Sequence, residues 1–505
     1  MMIEFKIDGQ VIEAETGMTV LQAARRVGIE IPSLCYQEGL PHQTSCFICA
    51  IRVKGSETLQ PACALPATPG LEVEFHSPVV ETARRTALEL LFSDHAGRCE
   101  APCAMACPAS LDIPAFLKAV KRGDSSGALE VLSRRLPLAG VLGKVCAGYC
   151  QKACVRRKQD EPLSVPCLHG RVAQENLASG SPWLPEKQAA SGKTVAIFGS
   201  GPVALSAAWF LLQQGHACRL IEEGTRAGGS LRQLVQEGQL EEKLLDGEIA
   251  LIERFGAEIV CGKQAREGRS LEEMAASFDV VLVADPVTGG KEKGTGSSPA
   301  AGSRPENLFY AASVVSDEKS VVRAVNAGRT LAVSIGQYLA GEPVTGPEKP
   351  FYFAARDVTG DEERTLFALS GAPEAPAPAQ TDPKQEAARC LQCSCVKRDT
   401  CRLRHYGSRY GVQAQRFKGE RRRMEPDQSH GEVVYDPGKC ILCGLCLRVA
   451  EAAGEARGLS FVGRGFPTRV AVPFGGQLLD GLSLCARECA AVCPTAALSL
   501  KMDRG

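Results

Sequence analysis

Seven cysteines fall between His95 and His169, six of them in two ladders with three residues between successive rungs. The first ladder holds Cys99, Cys103 and Cys107, the last followed by Pro108. The second holds Cys146, Cys150 and Cys154, and Cys167 stands two residues before His169. A run that ends in Cys-Pro is the signature of a cubane iron-sulfur site, and in paired runs the last cysteine of one commonly serves the other's cluster. Two interleaved 4Fe-4S clusters are therefore expected. The competing chemistries are zinc, which favours Cys-x2-Cys knuckles, and a disulfide lattice, which needs an oxidising compartment. His95, four residues ahead of Cys99, is a candidate ligand; its alternatives are core packing or a solvated loop.

The rungs need a scaffold that brings the ladders together. From Ser110 to Arg122 the apolar residues recur at helical spacing, with Ser110 as the expected cap and Pro114 in the first turn. A second helix, about Ser125 to Arg135, turns the chain back. Ladders and hairpin together resemble the N-terminal helical domain of the glutamate synthase small subunit and dihydropyrimidine dehydrogenase. The resemblance implies that Cys99, Cys103 and Cys154 serve one cluster and Cys107, Cys146 and Cys150 the other. It leaves the remaining ligands at His95 and at Cys167 or His169.

Upstream, Ile3–Ile7 and Gln10–Ala14 alternate around Asp8-Gly9 as a hairpin, and Thr19 caps an expected helix, Val20–Val27. Cys35, Cys46, Cys49 and Cys63 follow, with ten, two and thirteen residues between them. Plant-type ferredoxin shares this β-grasp order but has a shorter first gap, and zinc is the rival metal. The wider gap resembles the 2Fe-2S domain of the large iron-sulfur subunit of respiratory complex I and of related iron hydrogenases. That likeness continues through Leu88–His95, since the complex I subunit follows its 2Fe-2S domain with a helix and a His-x3-Cys opening to a 4Fe-4S site. It implies His95 as a ligand.

Two further cysteine groups lie near the C-terminus. Cys390, Cys393, Cys395 and Cys401 form a compact set suited to one more 4Fe-4S cluster, again with zinc as rival. Arg421–Arg423 reads as a solvated face or a patch for an acidic partner subunit. Cys440, Cys443 and Cys446 at x2 spacing, with a distant Cys493-Pro494, give the ferredoxin arrangement of one cubane site. This region resembles the C-terminal cluster region of the complex I subunit. Ala450, Ser483 and Ala486 stand where a second cluster's cysteines would be, so that site is lost and Cys485 and Cys489 have no evident partner.

In the middle, Lys193–Phe198 reads as a strand and Gly199-Ser-Gly201-Pro-Val-Ala204 as a tight glycine turn opening a helix. Glu222 ends the second strand, placed to accept from a ribose hydroxyl, and Gly228-Gly229 follow. These features resemble flavoproteins of the glutamate synthase small-subunit family and imply a Rossmann-type FAD domain. Two departures stand out. Only about 20 residues separate Pro286 from Asn307, where that family inserts a nicotinamide-binding domain of at least roughly 50. Ala312-Ser313 replaces the family's Gly-Asp pair, whose carboxylate contacts the flavin. The chain is thus expected to have no NAD(P) site of its own, and its shell either binds FAD or is an emptied scaffold, closed by a helix from Ser320.

Over 505 residues, 58 basic and 58 acidic side chains cancel, which argues against nucleic-acid or membrane-surface binding. The 23 cysteines are odd in number and clustered, so they read as ligands rather than bridges. No signal-peptide pattern opens the chain, and no apolar run reaches the roughly 18 residues of a membrane span. A soluble cytoplasmic protein with reduced thiols follows. The expected fold class is multidomain α/β and α+β. Its parts are a β-grasp 2Fe-2S ferredoxin domain (1–78), a helical double-cluster domain (79–185), a degenerate Rossmann-type FAD domain (192–345), a linker (346–385), a small cysteine-rich 4Fe-4S segment (386–425) and a ferredoxin-like 4Fe-4S domain (430–505). One 2Fe-2S and three to four 4Fe-4S clusters are expected, and no catalytic nucleophile or carboxylate pair is visible. The expected function is an iron-sulfur electron-transfer subunit of a soluble oxidoreductase complex. Its expected partners are a flavin/NAD subunit of complex I type and a hydrogenase or formate dehydrogenase catalytic subunit, with ferredoxin joining in an electron-bifurcating scheme. The alternatives are a self-sufficient NAD(P)H-dependent flavoenzyme and a scaffold with redox-inert clusters.

Overall fold

The computed structural model describes the chain except residues 42, 263–267, 285–305, 312–319, 349–350, 356–369, 374–381, 418, 420–424 and 502–505. The readings made on the Pro286–Asn307 interval, on Ala312-Ser313 and on Arg421–Arg423 therefore lie outside the described residues. The chain divides into two compact units. The first comprises Met1–Glu100, Pro350–Ser370 and Ser394–Gly505, the second Ala101–Lys349 and Gly371–Cys393. One boundary cuts the first cysteine ladder after Cys99, and another cuts the 386–425 segment between Cys393 and Ser394.

The first unit opens with strands β1 (Met2–Ile7), β2 (Gln10–Glu15), β3 (Ala50–Val53), β4 (Leu59–Pro61) and β5 (Glu72–Glu74) in the sheet order β2-β1-β5-β3-β4. Strand alternation decides its face: Ile3, Phe5 and Ile7 are buried while Glu4 and Lys6 point away. The helix Val20–Arg26 covers that face with Val20, Leu21, Ala23 and Ala24. Thr19 starts it through a capping box with Gln22, so two orphan backbone donors are satisfied reciprocally. The helix Pro78–Asp94 follows, and His95 is its C-cap. Part of the interval read as a linker, 346–385, is core. Phe353 is 2% exposed, its ring 5.0 Å from that of Phe92, and Ala354 forms an antiparallel bridge with Arg98. Two apolar aromatics in a short run had no periodicity to reveal them. Farther on, Val433–Tyr435 pairs antiparallel with Leu498–Leu500, and the helices Leu445–Ala452 and Ala486–Val492 pack nearby.

In the second unit the expected helical hairpin forms as Ile113–Arg122 and Ser125–Ser133. The first cap is Asp112, which accepts from Ala115 N, and not Ser110. Ser110 has φ +52°, a left-handed turn that redirects the chain after Cys107-Pro108 rather than entering a helix. The helices Ala139–Val145 and Val165–Ala178 cross where Gly143 meets Gly170; a Cβ on Gly143 would lie 2.5 Å from the Gly170 Cα. Only a glycine pair permits that approach.

The rest of this unit is a parallel sheet of β6 (Thr194–Phe198), β7 (Ala217–Glu222), β8 (Glu258–Cys261), β9 (Val280–Val283) and β10 (Leu308–Tyr310), in the order β10-β9-β6-β7-β8. All four residues of β9 are buried, as expected for a strand covered on both faces. The helix Pro202–Gln213 packs on it, and the helix Val321–Leu339 packs against that helix, with Gly328 against the Val203 carbonyl.

Candidate metal centres

Cys35, Cys46, Cys49 and Cys63 are all buried at the end of the first sheet, and the Sγ atoms of Cys35 and Cys46 are 3.4 Å apart. Ala62 N donates to Cys49 O at 3.0 Å, so the strand pair β3–β4 sets the two later thiols side by side. Sulfur contacts with Cys46 and then Cys63 pull the Cys35 thiol far below its ordinary range. The contact with Cys35 and burial push Cys46 up.

A second group in the first unit differs from the one read in the sequence. Cys395 N donates to Cys99 O at 3.1 Å, and Cys401 shares the same apolar core as Cys99. Burial first, then the neighbouring Cys395, pushes the Cys99 thiol up to about 11; burial lifts Cys401 to about 12, with Cys395 and Cys99 adding. The Glu100 carboxylate fastens the two segments, taking Arg404 Nη2 at 2.8 Å and Arg398 Nη1 at 3.2 Å. His95 is 9% exposed beside this group, with its ring 5.7 Å from that of Phe353, whose carbonyl accepts from Cys99 N. Its Nε2 occupies the space a Cβ on Gly97 would take, so Gly97 makes room for the imidazole.

In the second unit Cys103, Cys150, Cys154, Cys390 and Cys393 line one pocket walled by Ile113, Leu117, Leu163 and Val165. Burial, then the charges of Cys390, Cys393, Cys154 and Cys150 in that order, raises the Cys103 thiol. A buried ion network holds the late segment there. Arg156 donates through Nη1 to Arg389 O at 2.7 Å and through Nε to Asp160, and Arg389 pairs with Glu386 at 2.8 Å. The compact Cys390–Cys401 set is therefore split between two sites. Cys99 leaves the partners, Cys103 and Cys154, that the family likeness gave it. The reason is the chain's path: Gln392 at φ +48° turns Cys390 and Cys393 toward Cys103, while Cys395 hydrogen-bonds to Cys99.

Cys107 and Cys146 lie near Cys150, whose thiol is pushed up to about 12 by burial, then by Cys107 and Cys146. Of the two candidates for a fourth position, His169 is buried and Cys167 exposed on the same helix. Two residues along a helix is about 200°, so the two cannot face one site, and Cys167 faces away from the buried side. The His169 Nδ1 lies 2.9 Å from Ala139 O, and burial holds the imidazole down to about 4. It is neutral at pH 7, with Nε2 as the ring's other nitrogen.

Near the C-terminus Cys440, Cys443, Cys446 and Cys493 line one pocket with Tyr435 and Thr495. Leu442 N donates to Cys440 Sγ at 3.4 Å and Leu498 N to Cys493 Sγ at 3.5 Å. Cys485 and Cys489, which had no evident partner in the sequence, lie 3.7 Å apart; Cys485 donates to Glu455 and Cys489 to Cys446 O. Among the described residues seven that are not glycine have positive φ, and Phe47, Gln392 and Leu442 each sit inside a Cys-x2-Cys loop. Such backbone is kept where its surroundings over-determine it, here to converge two sulfurs on one point.

At the glycine turn, Gly199 has φ +98° and Gly201 caps the helix Pro202–Gln213, where Ala204 is fully buried. The Glu222 carboxylate accepts from Ser200 Oγ and from Gly224 N at 2.7 Å, while Gly228 N donates to Ser200 Oγ at 2.9 Å. Gly229, like Gly228, is at positive φ. The acceptor expected for a ribose is thus already engaged by the chain itself.

Among the described residues no three His, Cys, Asp or Glu side chains converge on the space of a single metal ion. Cysteines line two apolar pockets, and an all-thiol donor set in apolar surroundings is the kind that iron-sulfur clusters take.

Three family models match in succession: a 2Fe-2S iron-sulfur cluster binding domain over residues 1–78, a dihydropyrimidine dehydrogenase domain II, 4Fe-4S cluster, over 81–180, and an NAD(P)-binding Rossmann-like domain over 197–252. The chain is thus a multidomain α/β protein with iron-sulfur domains of both cluster types. The NADP(+)-dependent formate dehydrogenase subunit beta of Moorella thermoacetica is 35% identical over 205 residues, 36% of this chain and 29% of the relative. The NAD-dependent dihydropyrimidine dehydrogenase subunit PreT of Escherichia coli (strain K12) is 32% identical over 200 residues, 38% and 48% of the two. A subunit of the NADH-quinone oxidoreductase of Rhizobium meliloti (strain 1021) is 45% identical over 94 residues, 19% and 11%. The chain therefore spans less than half the length of each. Among the described residues no helix is long and apolar enough to cross a membrane.

Proposed function

We propose that this chain is an iron-sulfur electron-transfer subunit of a multi-subunit oxidoreductase. It takes electrons one at a time from a flavin/NAD subunit and delivers them to a formate dehydrogenase or hydrogenase catalytic subunit, or the reverse, with ferredoxin as a further exchange partner. The observation that carries this reading is the gathering of cysteines distant in sequence into buried, apolar surroundings within each unit. The groups are Cys35/46/49/63 for a 2Fe-2S centre and, for 4Fe-4S centres, His95/Cys99/395/401, Cys103/154/390/393, Cys107/146/150 with His169, and Cys440/443/446/493. Relatives named as parts of a formate dehydrogenase and of an NADH-quinone oxidoreductase support the class of complex.

The Rossmann-like match favours a second reading, a self-sufficient NAD(P)H oxidoreductase. Against it stands Glu222, whose carboxylate is held by Ser200 and Gly224. Purifying the chain alone and with its partner subunits separates the two. The proposal expects NADH or formate to reduce its centres, seen by EPR, only when the partners are present. Steady NAD(P)H oxidation by the isolated chain would establish the second reading instead.

A further inference from the structure

Resting on that reading, a second feature of the first unit concerns how its centres are tuned. Arg448 lies two residues after Cys446 on the helix Leu445–Ala452 and is 7% exposed. One nitrogen, Nη2, donates to two carbonyls at once, Cys443 O at 2.9 Å and Cys35 O at 3.3 Å. Those carbonyls belong to two different cysteine groups, which share one apolar core through Cys35, Cys46 and Cys443. Gly444, at φ +70°, lets the guanidinium lie against the loop, since a Cβ there would stand 3.1 Å from Nη1.

Among the described residues no carboxylate forms an ion pair with this side chain. Its two described partners are neutral carbonyls, and its Nε is buried with no hydrogen-bond partner. A buried guanidinium without an anion is strongly destabilising. Four-thiolate 2Fe-2S and 4Fe-4S centres carry net negative charge in both redox states, and each gains one more on reduction. The residues whose carbonyls hold the guanidinium, Cys35 and Cys443, would each be a ligand of one of these centres.

We infer that Arg448 is the shared counter-cation of the Cys35/46/49/63 and Cys440/443/446/493 centres, raising both reduction potentials and easing the reduction of each beside the other. Nearby charge is one of the levers by which a protein sets such potentials. Arg448 is here a positioning and tuning residue, not a ligand.

The test is a redox titration of the purified complex, followed by EPR, for the native protein, Arg448→Gln and Arg448→Lys. Arg448→Gln is expected to make both potentials more negative while each signal keeps its shape, and Arg448→Lys to restore part of the shift. Potentials that stay in place, a shift at only one centre, or a Lys variant that falls as far as Gln would overturn the inference. Should Arg448→Gln fail to assemble the centres, Arg448→Lys decides: assembly with both signals supports the shared cation, and loss of either contradicts it. If the native protein lacks either signal, the proposed function falls instead. Unshifted variants of a protein with both signals remove only the role of Arg448.

Discussion

Glu248 is fully enclosed on the helix Glu242–Arg254 and caps another helix: its two oxygens accept from Gly140 N and Val141 N, each at 2.8 Å. That capped helix, Ala139–Val145, leads directly into Cys146, and its first carbonyl accepts from His169. Burial, partly opposed by the two N–H donors, raises the carboxyl from 4.5 to about 7. A folded-state value above the unfolded one means the folded state holds the proton more tightly. The stabilisation is therefore complete below about pH 4.5, is lost as pH rises toward 7, and is flat beyond. A shift of this size corresponds to roughly 3 kcal/mol, of which about 2.5 kcal/mol, a factor of roughly 70, falls between about pH 5 and pH 8. Hydrogen–deuterium exchange of the 139–145 peptide, corrected for the intrinsic pH dependence of exchange, reads it directly. Protection is expected to fall by that factor across the window, and Glu248→Gln to abolish the slope. A pH-independent native protein, or the same slope in Glu248→Gln, would refute the reasoning.

The remaining predictions concern the cysteine groups. Cys395→Ala should remove the same 4Fe-4S signal as Cys99→Ala, and Cys390→Ala the one shared with Cys103; a single signal lost by both Cys390→Ala and Cys395→Ala would restore the grouping read from spacing alone. Cys493→Ala should remove one 4Fe-4S signal and leave the 2Fe-2S signal intact, as EPR of variant and native protein side by side would show. His169→Ala should alter the potential or spectrum of the Cys107/146/150 centre, whereas Cys167→Ala, at an exposed position, should leave all spectra alone and change stability by no more than about 0.5 kcal/mol.

What could be read from the sequence was local. The alternation of β1, the Thr19 cap, the glycine turn at Gly199 and the spacing within each cysteine run depend on neighbours a few residues away, and the helices and strands formed where those patterns lie. What escaped was long-range. Spacing assigned Cys390 to Cys401 to one site, but a left-handed Gln392 and the separate anchors Arg389 and Glu100 draw the segment into two. The Gly143–Gly170 crossing and the Glu248 cap join residues tens of positions apart and leave no periodic trace. Ser110 was a plausible cap by type, yet Asp112 holds the donor, because the turn after Pro108 consumes two more residues. Phe351 and Phe353 were hidden in an interval with no repeat, although two aromatics so close together signal a buried contact.

Iron, acid-labile sulfide and zinc analysis of the anaerobically purified chain bears most directly on the account. Iron and sulfide in nearly equal amounts, enough for one 2Fe-2S and several 4Fe-4S centres, with zinc at background, is the predicted result. Zinc bound to the cysteines with no sulfide present would contradict it.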